Sequence, residues 1–416
     1  MDIQTVSTKP KFDRDLENRP GDRYVLGDAI PFAIAHLVCF AAIWTGVHLV
    51  DILIAIGLYA IRMFGITAGF HRYFSHRSFK TSRVFGFILA FLAQTSAQSG
   101  VLWWAGTHRH HHRHSDDEDD VHSPVRRGFW FAHVGWIFTE RYQETNMDAI
   151  PDFAKYPELV WLDRHPFLPA IKLAVLVFIC AGWSGLVVGF FWSTVATWHG
   201  VFCINSLAHV WGRKRYLTGD QSRNNWWLAL LTLGEGWHNN HHHYQSSSRQ
   251  GFRWYEIDIT YYVLKVLAAI GLVWALRTPP RSVVANEQKL GRAVVERAAM
   301  ELAESFQIEK IAADLAADLS ASFDTLQGNV TEQIEEWRVQ FEDTVETARH
   351  ELDEFVQSVH LPAMPSAADL QARASEMFVN TPSFNEIIER AQQIIIINVF
   401  DELASRQRAV SPPPSR

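Results

Sequence analysis

Three clusters of histidine, each at the edge of a long apolar run, constrain this chain more than any other feature. HRYFSH carries His71 and His76, HRHHH carries His108, His111 and His112, and HNNHH carries His238, His241 and His242. A further histidine, His209, follows Asn205 in NSLAH. On a helix, positions i, i+3 and i+4 share one face. His108, His111 and His112 therefore form a three-nitrogen claw, and His238, His241 and His242 repeat it. His71 and His76 are five apart, roughly 140° around an ideal helix, so they face one site only where that helix ends or bends.

The apolar runs are long enough for a membrane. A spanning helix needs about 20 mostly apolar residues. Residues 29–49 and 51–70 meet that length and form one hairpin; residues 167–192 and 193–211 form a second, linked at 190–193. The short links lack Lys and Arg, whereas Lys9, Lys11, Arg72, Arg77, Arg126 and Arg213 lie on the opposite side. That asymmetry places both termini and the polar loop in the cytoplasm. One metal centre requires all clusters on that side. The run 84–104, interrupted by Gln94, Thr95, Ser96, Gln98 and Ser99, then reads as re-entrant or interfacial. Residues 255–276 are left as interfacial or spanning. No cleavable signal peptide is expected.

Imidazole suits iron, zinc, copper and nickel, so ligand type alone does not name the metal. Nine histidine ligands are too many for one ion and suit two, and nitrogen without thiolate or carboxylate is unusual for zinc. Cys39, Cys180 and Cys203 all fall in apolar segments and suggest neither a disulfide framework nor a cysteine metal site. A lone histidine is more often packed than ligating, which is the reading for His36, His48, His165, His199, His350 and His360. His110, His114, His122, His133 and His243 read as loop residues or supports of the ligands.

These motifs resemble the membrane fatty acyl desaturases of the stearoyl-CoA (delta-9) type. The carriers are HRYFSHRSF, HRHHHRHSDDEDDVHSP, RRGFWFAHVGW, NSLAHVWG and GDQSRNNWWLALLTLGEGWHNNHHHYQ, over roughly residues 25–278. The resemblance implies an all-α integral membrane four-helix bundle with a cytoplasmic histidine-rich cap holding two irons. It implies His71, His76, His108, His111, His112, His209, His238, His241 and His242 as ligands, with Asn205 acting through water. It implies a cis double bond, delta-9, made in a saturated acyl chain with O₂ and two external electrons. Gln98, Trp104, Val201 and Phe202 match positions lining the substrate tunnel, though the family has Thr-Trp at the last two. Gly106 and Thr107 stand where acyl-CoA enzymes carry an Arg-Asp pair, so the headgroup surface differs. The expected substrate is acyl-CoA slightly ahead of acyl-lipid. With no cytochrome domain or iron–sulfur cysteines in the sequence, electrons are expected from a ferredoxin-like or b-type cytochrome protein with its reductase. A lipid hydroxylase on the same scaffold is the rival enzyme. A metal transporter or sensor is the rival from another class, although transporters place their ligands at mid-membrane.

The C-terminal third differs in kind. Residues 1–280 carry 26 Lys/Arg against 22 Asp/Glu, and residues 281–416 carry 12 against 23. All but one of the 16 Trp precede the proline pair Pro279-Pro280, where a helix stops. The expected organisation is a cytoplasmic segment 1–28, a membrane domain 29–280, an acidic helical tail 281–409 and a disordered end 410–416. Within 294–359, apolar residues from Leu315 through Ile334, Trp337 and Phe341 to Val359 recur in steps of 4, 4 and 3. That eleven-residue period keeps one stripe on a nearly straight helix. The stripe needs a partner: a second copy, a membrane surface or the later helix 385–405.

Overall fold

The computed structural model describes residues 23–323 and 364–410. The stripe positions between Leu326 and Val359, together with His350 and His360, lie outside the described residues. So do residues 1–22 of the expected N-terminal segment and 411–416 of the expected disordered end. The chain divides into two compact units, Met1–Glu287 and Gln288–Arg416. The division falls after the proline pair, because the turn Arg281–Val284 packs with the first unit. There Val283 joins a small core with Tyr216 and Phe252, and the Tyr216 hydroxyl donates to the Val284 carbonyl at 2.9 Å.

The first unit is almost wholly helical. Helix α1, Leu26–Cys39, and a short turn, Ala42–Thr45, lead to Gly46 at φ +78°. Helix α2, Leu49–Phe64, starts on a cap in which the Asp51 carboxylate accepts from the His48 backbone N–H at 3.2 Å. It runs directly into the π-helical segment Gly65–Ser75. Helices α3, Arg83–Gln94, and α4, Val101–His114, are separated by a break in which Ala97 and Ser99 take positive φ. Helix α5, Phe129–His133, is short. Helix α6, Leu168–Ser184, is followed by the π-helical Gly185–Trp192 and then α7, Ser193–Ser206, which ends in a tighter turn at Leu207–His209. Helix α8, His238–His243, and α9, Ile259–Ala269, complete the unit. Strand Val273–Trp274 pairs antiparallel with Lys80–Thr81.

Among the described residues, Leu49–Ser75 and Leu168–His209 are long and apolar enough to cross a membrane. The second stretch is bent double. Gly182 takes φ 64° and ψ −157°, and Val177 Cγ1 stands 3.7 Å from where a Cβ on Gly189 would sit, so the chain folds back on itself there. The expected link at 190–193 is therefore corrected: that region is continuous helix, and the reversal lies at the glycine. A uniformly apolar run hides the turn, because only the glycine tolerates its backbone angles. The expected second segment, 51–70, carries Arg62 fully buried. Its Nη1 donates to Thr194 Oγ1 at 2.6 Å and its guanidinium sits 4.5 Å from the Phe190 ring centroid. Residues 84–104 form two short helices rather than one crossing, and α9 has only 11 residues, too short to span on its own.

The second unit corrects the expectation of one long tail helix. Helix α10, Arg292–Glu304, stops, and α11, Ile308–Phe323, begins after a break at 305–307. Helices α12, Ala367–Met377, and α13, Phe384–Val410, pack with them. Leu302, Leu315, Leu370, Ile387 and Ile395 are buried together in this unit. A Glu296–Arg390 ion pair, with both contacts at 2.8 Å, ties α10 to α13. Of the partners a stripe could take, the described part uses the later helix of its own chain.

Candidate metal centre

The nine clustered histidines converge as two groups. His71, His76, His108, His112 and His241 form one, and His111, His209, His238 and His242 form the other; within each group the ring nitrogens lie within 4.8 Å of one another. The π-helical turn solves the five-residue spacing. In that geometry residue i+5 bonds back to residue i. The His76 N–H donates to the His71 carbonyl at 3.1 Å, and the two rings lie 4.8 Å apart on one side. Helix α4 splits its claw. His108 and His112, one turn apart, enter the first group, while His111 faces the second. Helix α8 does likewise, sending His241 to the first group and His238 and His242 to the second. The groups are neighbours, with His112 and His242 rings 4.4 Å apart.

Four buried carboxylates fix the ring orientations. Asp116 accepts from His209 Nδ1 at 2.8 Å, Asp120 from His111 Nδ1 at 2.8 Å, and Asp220 from His242 Nδ1 at 2.7 Å. Glu235 does the same for His71 Nδ1 at 2.5 Å, and is itself held by Arg72 at 3.0 Å. An Nδ1 that donates leaves the Nε2 lone pair free. Burial raises Asp220 and Glu235, but His242 overrides it for Asp220. His71 and Arg72 do so for Glu235, bringing it down to about 2. For Asp120 burial wins and its carboxyl is pushed up. Burial first, then the neighbouring imidazoles, hold His76, His108, His111, His112, His238 and His241 well below the ordinary histidine value, so they are neutral.

Imidazoles this close need a cation. The Nε2 atoms of His71, His241, His112, His108 and His76 follow one another at 2.9–3.0 Å. A ring nitrogen carries either a hydrogen or a lone pair, so an Nε2 that meets two others cannot serve both as hydrogen bonds. In the second group His111 Nε2 and His242 Nε2 are buried with no partner. A metal ion in each group would satisfy these nitrogens, and an all-imidazole donor set fits iron.

A cavity of about 450 Å³ adjoins the first group. His108, Trp104, Gln98, Val201, Phe202 and Asn205 are among its lining residues, and so is Thr107. Gly106 is not; it is buried, and a Cβ there would stand 3.4 Å from the Asn146 carbonyl.

The remaining histidines divide. His110 bonds the Asp119 carbonyl at 2.9 Å, and His243 stacks on Tyr216 at 4.0 Å. His122 is buried with its ring 4.3 Å from His111, and burial holds it down to about 3. His36, His199 and His133 are packed, but on each other. His36 Nε2 meets His199 Nε2 at 3.0 Å, His199 Nδ1 meets His133 Nε2 at 3.0 Å, and His133 Nδ1 meets Ser206 Oγ at 2.9 Å. This chain ties α1, α5 and α7 together beside the cavity. The sequence reading missed Asp220, Glu235 and Arg72, and placed Asp116 and Asp120 only in an acidic run. For all but Asp220, the one local signal is adjacency to the histidine motifs, as for Glu235 in GEGWHNNHHH.

Comparison with known proteins agrees with this geometry. The family model for fatty acid desaturases matches residues 42–275. The chain is 37% identical over 232 residues to the chloroplastic palmitoyl-monogalactosyldiacylglycerol delta-7 desaturase of Arabidopsis thaliana, covering 54% of this chain and 62% of that protein. It is 34% identical to the sn-2 palmitoyl-lipid 9-desaturase of Nostoc, covering 52% of this chain and 77% of that one. It is 37% identical to the acyl-CoA C20 Delta5-desaturase of Anemone leveillei, covering 54% and 73%. Acyl-lipid and acyl-CoA enzymes thus both appear among the relatives, and the stearoyl-CoA type is not singled out. The chain belongs to the fatty acid desaturase family, whose members are oxidoreductases that desaturate acyl chains.

Proposed function

We propose that this protein introduces a cis double bond, at the delta-9 position, into a saturated acyl chain of sixteen to eighteen carbons. The observation that carries the reading is the pair of histidine groups, the larger of which opens through His108 on an apolar-walled cavity. The reaction consumes O₂, two external electrons and two protons, removes two hydrogens from adjacent methylenes and yields two waters. An unactivated methylene has no acidic proton for a side-chain base; iron, when bound, supplies the oxidising power. The nine histidines are the ligands in this reading, and Asn205 reaches the centre through water.

The protein's own contribution is position. Trp104, Trp198, Val201 and Phe202 wall the cavity, exclude water and set which carbons lie near His108. Gln98 lines the same cavity and its Nε2 has no partner. Among the described residues, no Lys or Arg lines the cavity. An uncharged wall supports an acyl-lipid over the polyanionic acyl-CoA, reversing the order favoured by motif resemblance. Electrons come from a separate ferredoxin-like or b-type cytochrome protein, and the centre faces the cytoplasm.

Expression of the full chain in a host of known lipid composition tests this. New unsaturated fatty acids with the bond between carbons nine and ten are expected. A short labelling chase should show them first in the lipid pool. Hydroxylated products would favour the hydroxylase, and an unchanged profile would remove the desaturase reading.

A further inference from the structure

The two histidine groups differ in what stands behind them. In the four-histidine group, three of the four rings are backed by a buried carboxylate: His111 by Asp120, His209 by Asp116 and His242 by Asp220. None of these three carboxylates pairs with a lysine or arginine among the described residues. Hydroxyls and backbone N–H groups complete their shells. Ser123 donates to Asp116 at 2.7 Å, Gln221 N–H donates to Asp116 at 2.8 Å, and Thr218 donates to Asp220 at 2.7 Å. Arg126 reaches only the Asp116 main-chain carbonyl, at 3.1 Å. In the five-histidine group one carboxylate, Glu235, backs one ring, His71, and Arg72 draws on that same charge. The groups also differ in access. All four rings of the smaller group are buried, whereas His76, His108 and His112 of the larger are half-buried, and His108 lines the cavity.

We propose that the two metal positions differ in affinity: the four-histidine group holds its ion more tightly, with Asp116, Asp120 and Asp220 as the positioning residues that make the difference. The inference rests on the di-iron reading above. A carboxylate behind an imidazole fixes the ring and raises its basicity, and loss of such a partner typically costs 10–100-fold in metal affinity. Burying a dication among imidazoles is governed by charge compensation. A fifth imidazole adds a donor but no charge, while three carboxylates that no lysine or arginine shares add orientation, and Asp116 and Asp220 add charge as well. The smaller group therefore loads first and empties last.

The test is timed release of iron from the purified full-length protein, loaded with ferrous iron, into a coloured ferrous chelator. Two phases are expected, the second slower by about tenfold or more. Asp220→Asn should accelerate the slow phase by roughly 10–100-fold and leave the fast one unchanged. Thr218→Val, which removes a hydroxyl from Asp220 without touching a histidine, should shift the slow phase the same way by a smaller factor. Glu235→Gln should accelerate the fast phase alone. Release of both ions in one phase, or acceleration of the first-released ion by Thr218→Val or Asp220→Asn, overturns the proposal while leaving the di-iron reading standing. A protein that takes up no iron overturns both.

Discussion

His209 and Asp116 are 93 residues apart in the chain, yet one ring nitrogen and one carboxylate oxygen meet at 2.8 Å. That separation decides what was legible. The histidines of the two claws announce themselves because helical spacing alone brings three nitrogens to one side. Their supporting carboxylates do not, because no periodicity links them to the rings they hold. Asp116 and Asp120 sit in an acidic run whose members Glu118 and Asp119 are exposed, so composition could not separate the buried pair from the solvated one. Residue-level expectations follow from this geometry. His112 Nε2 meets both His108 and His241, so His112→Ala should empty the five-histidine group and abolish desaturation. His110→Ala should leave iron per chain unchanged; metal analysis of the two purified variants checks both. Arg72 is buried between Glu235 and Asp258, each at 3.0 Å. Arg72→Met removes the one guanidinium that two buried carboxylates share and should cost about 3–5 kcal/mol, read as a lowered thermal transition.

Helices were legible, their breaks less so. The run 84–104 gave away its interruption through polar residues, and the structure breaks it at 95–100. The run 167–211 contains no such signal, and its reversal rests on Gly182 alone. A side chain at φ 64°, ψ −157° enters a region essentially reserved for glycine, at roughly 1–3 kcal/mol. Gly182→Val should therefore destabilise the second hairpin by that amount. Gly189→Leu should do at least as much, because even a Cβ there would stand 2.7 Å from Ile54 Cγ2 on α2. Thermal unfolding in detergent reads both. The π-helical segment at 65–75 was not foreseen; two histidines five apart called only for a helix that ends or bends there. Bonding from i+5 to i supplies the missing rotation without ending the helix.

At the scale of the molecule, an eleven-residue period specifies a stripe but not a continuous rod. The described part of that stripe lies on α11, after the break at 305–307, and packs against α13, because Ile387, Ile395 and Val399 offer the apolar face it needs. All nine histidines lie in the first unit, so a chain ending at Glu287 should keep its iron. Ile395→Asp, which places a charge in the core of the second unit, should unfold that unit without releasing metal, seen as lost helicity at constant iron content. The central claim is a pair of irons held by nine histidines beside an acyl cavity. It is tested most directly by counting metal in purified full-length protein that desaturates lipid. The account requires two irons per chain; one ion per chain, or zinc in stoichiometric amount, would contradict it.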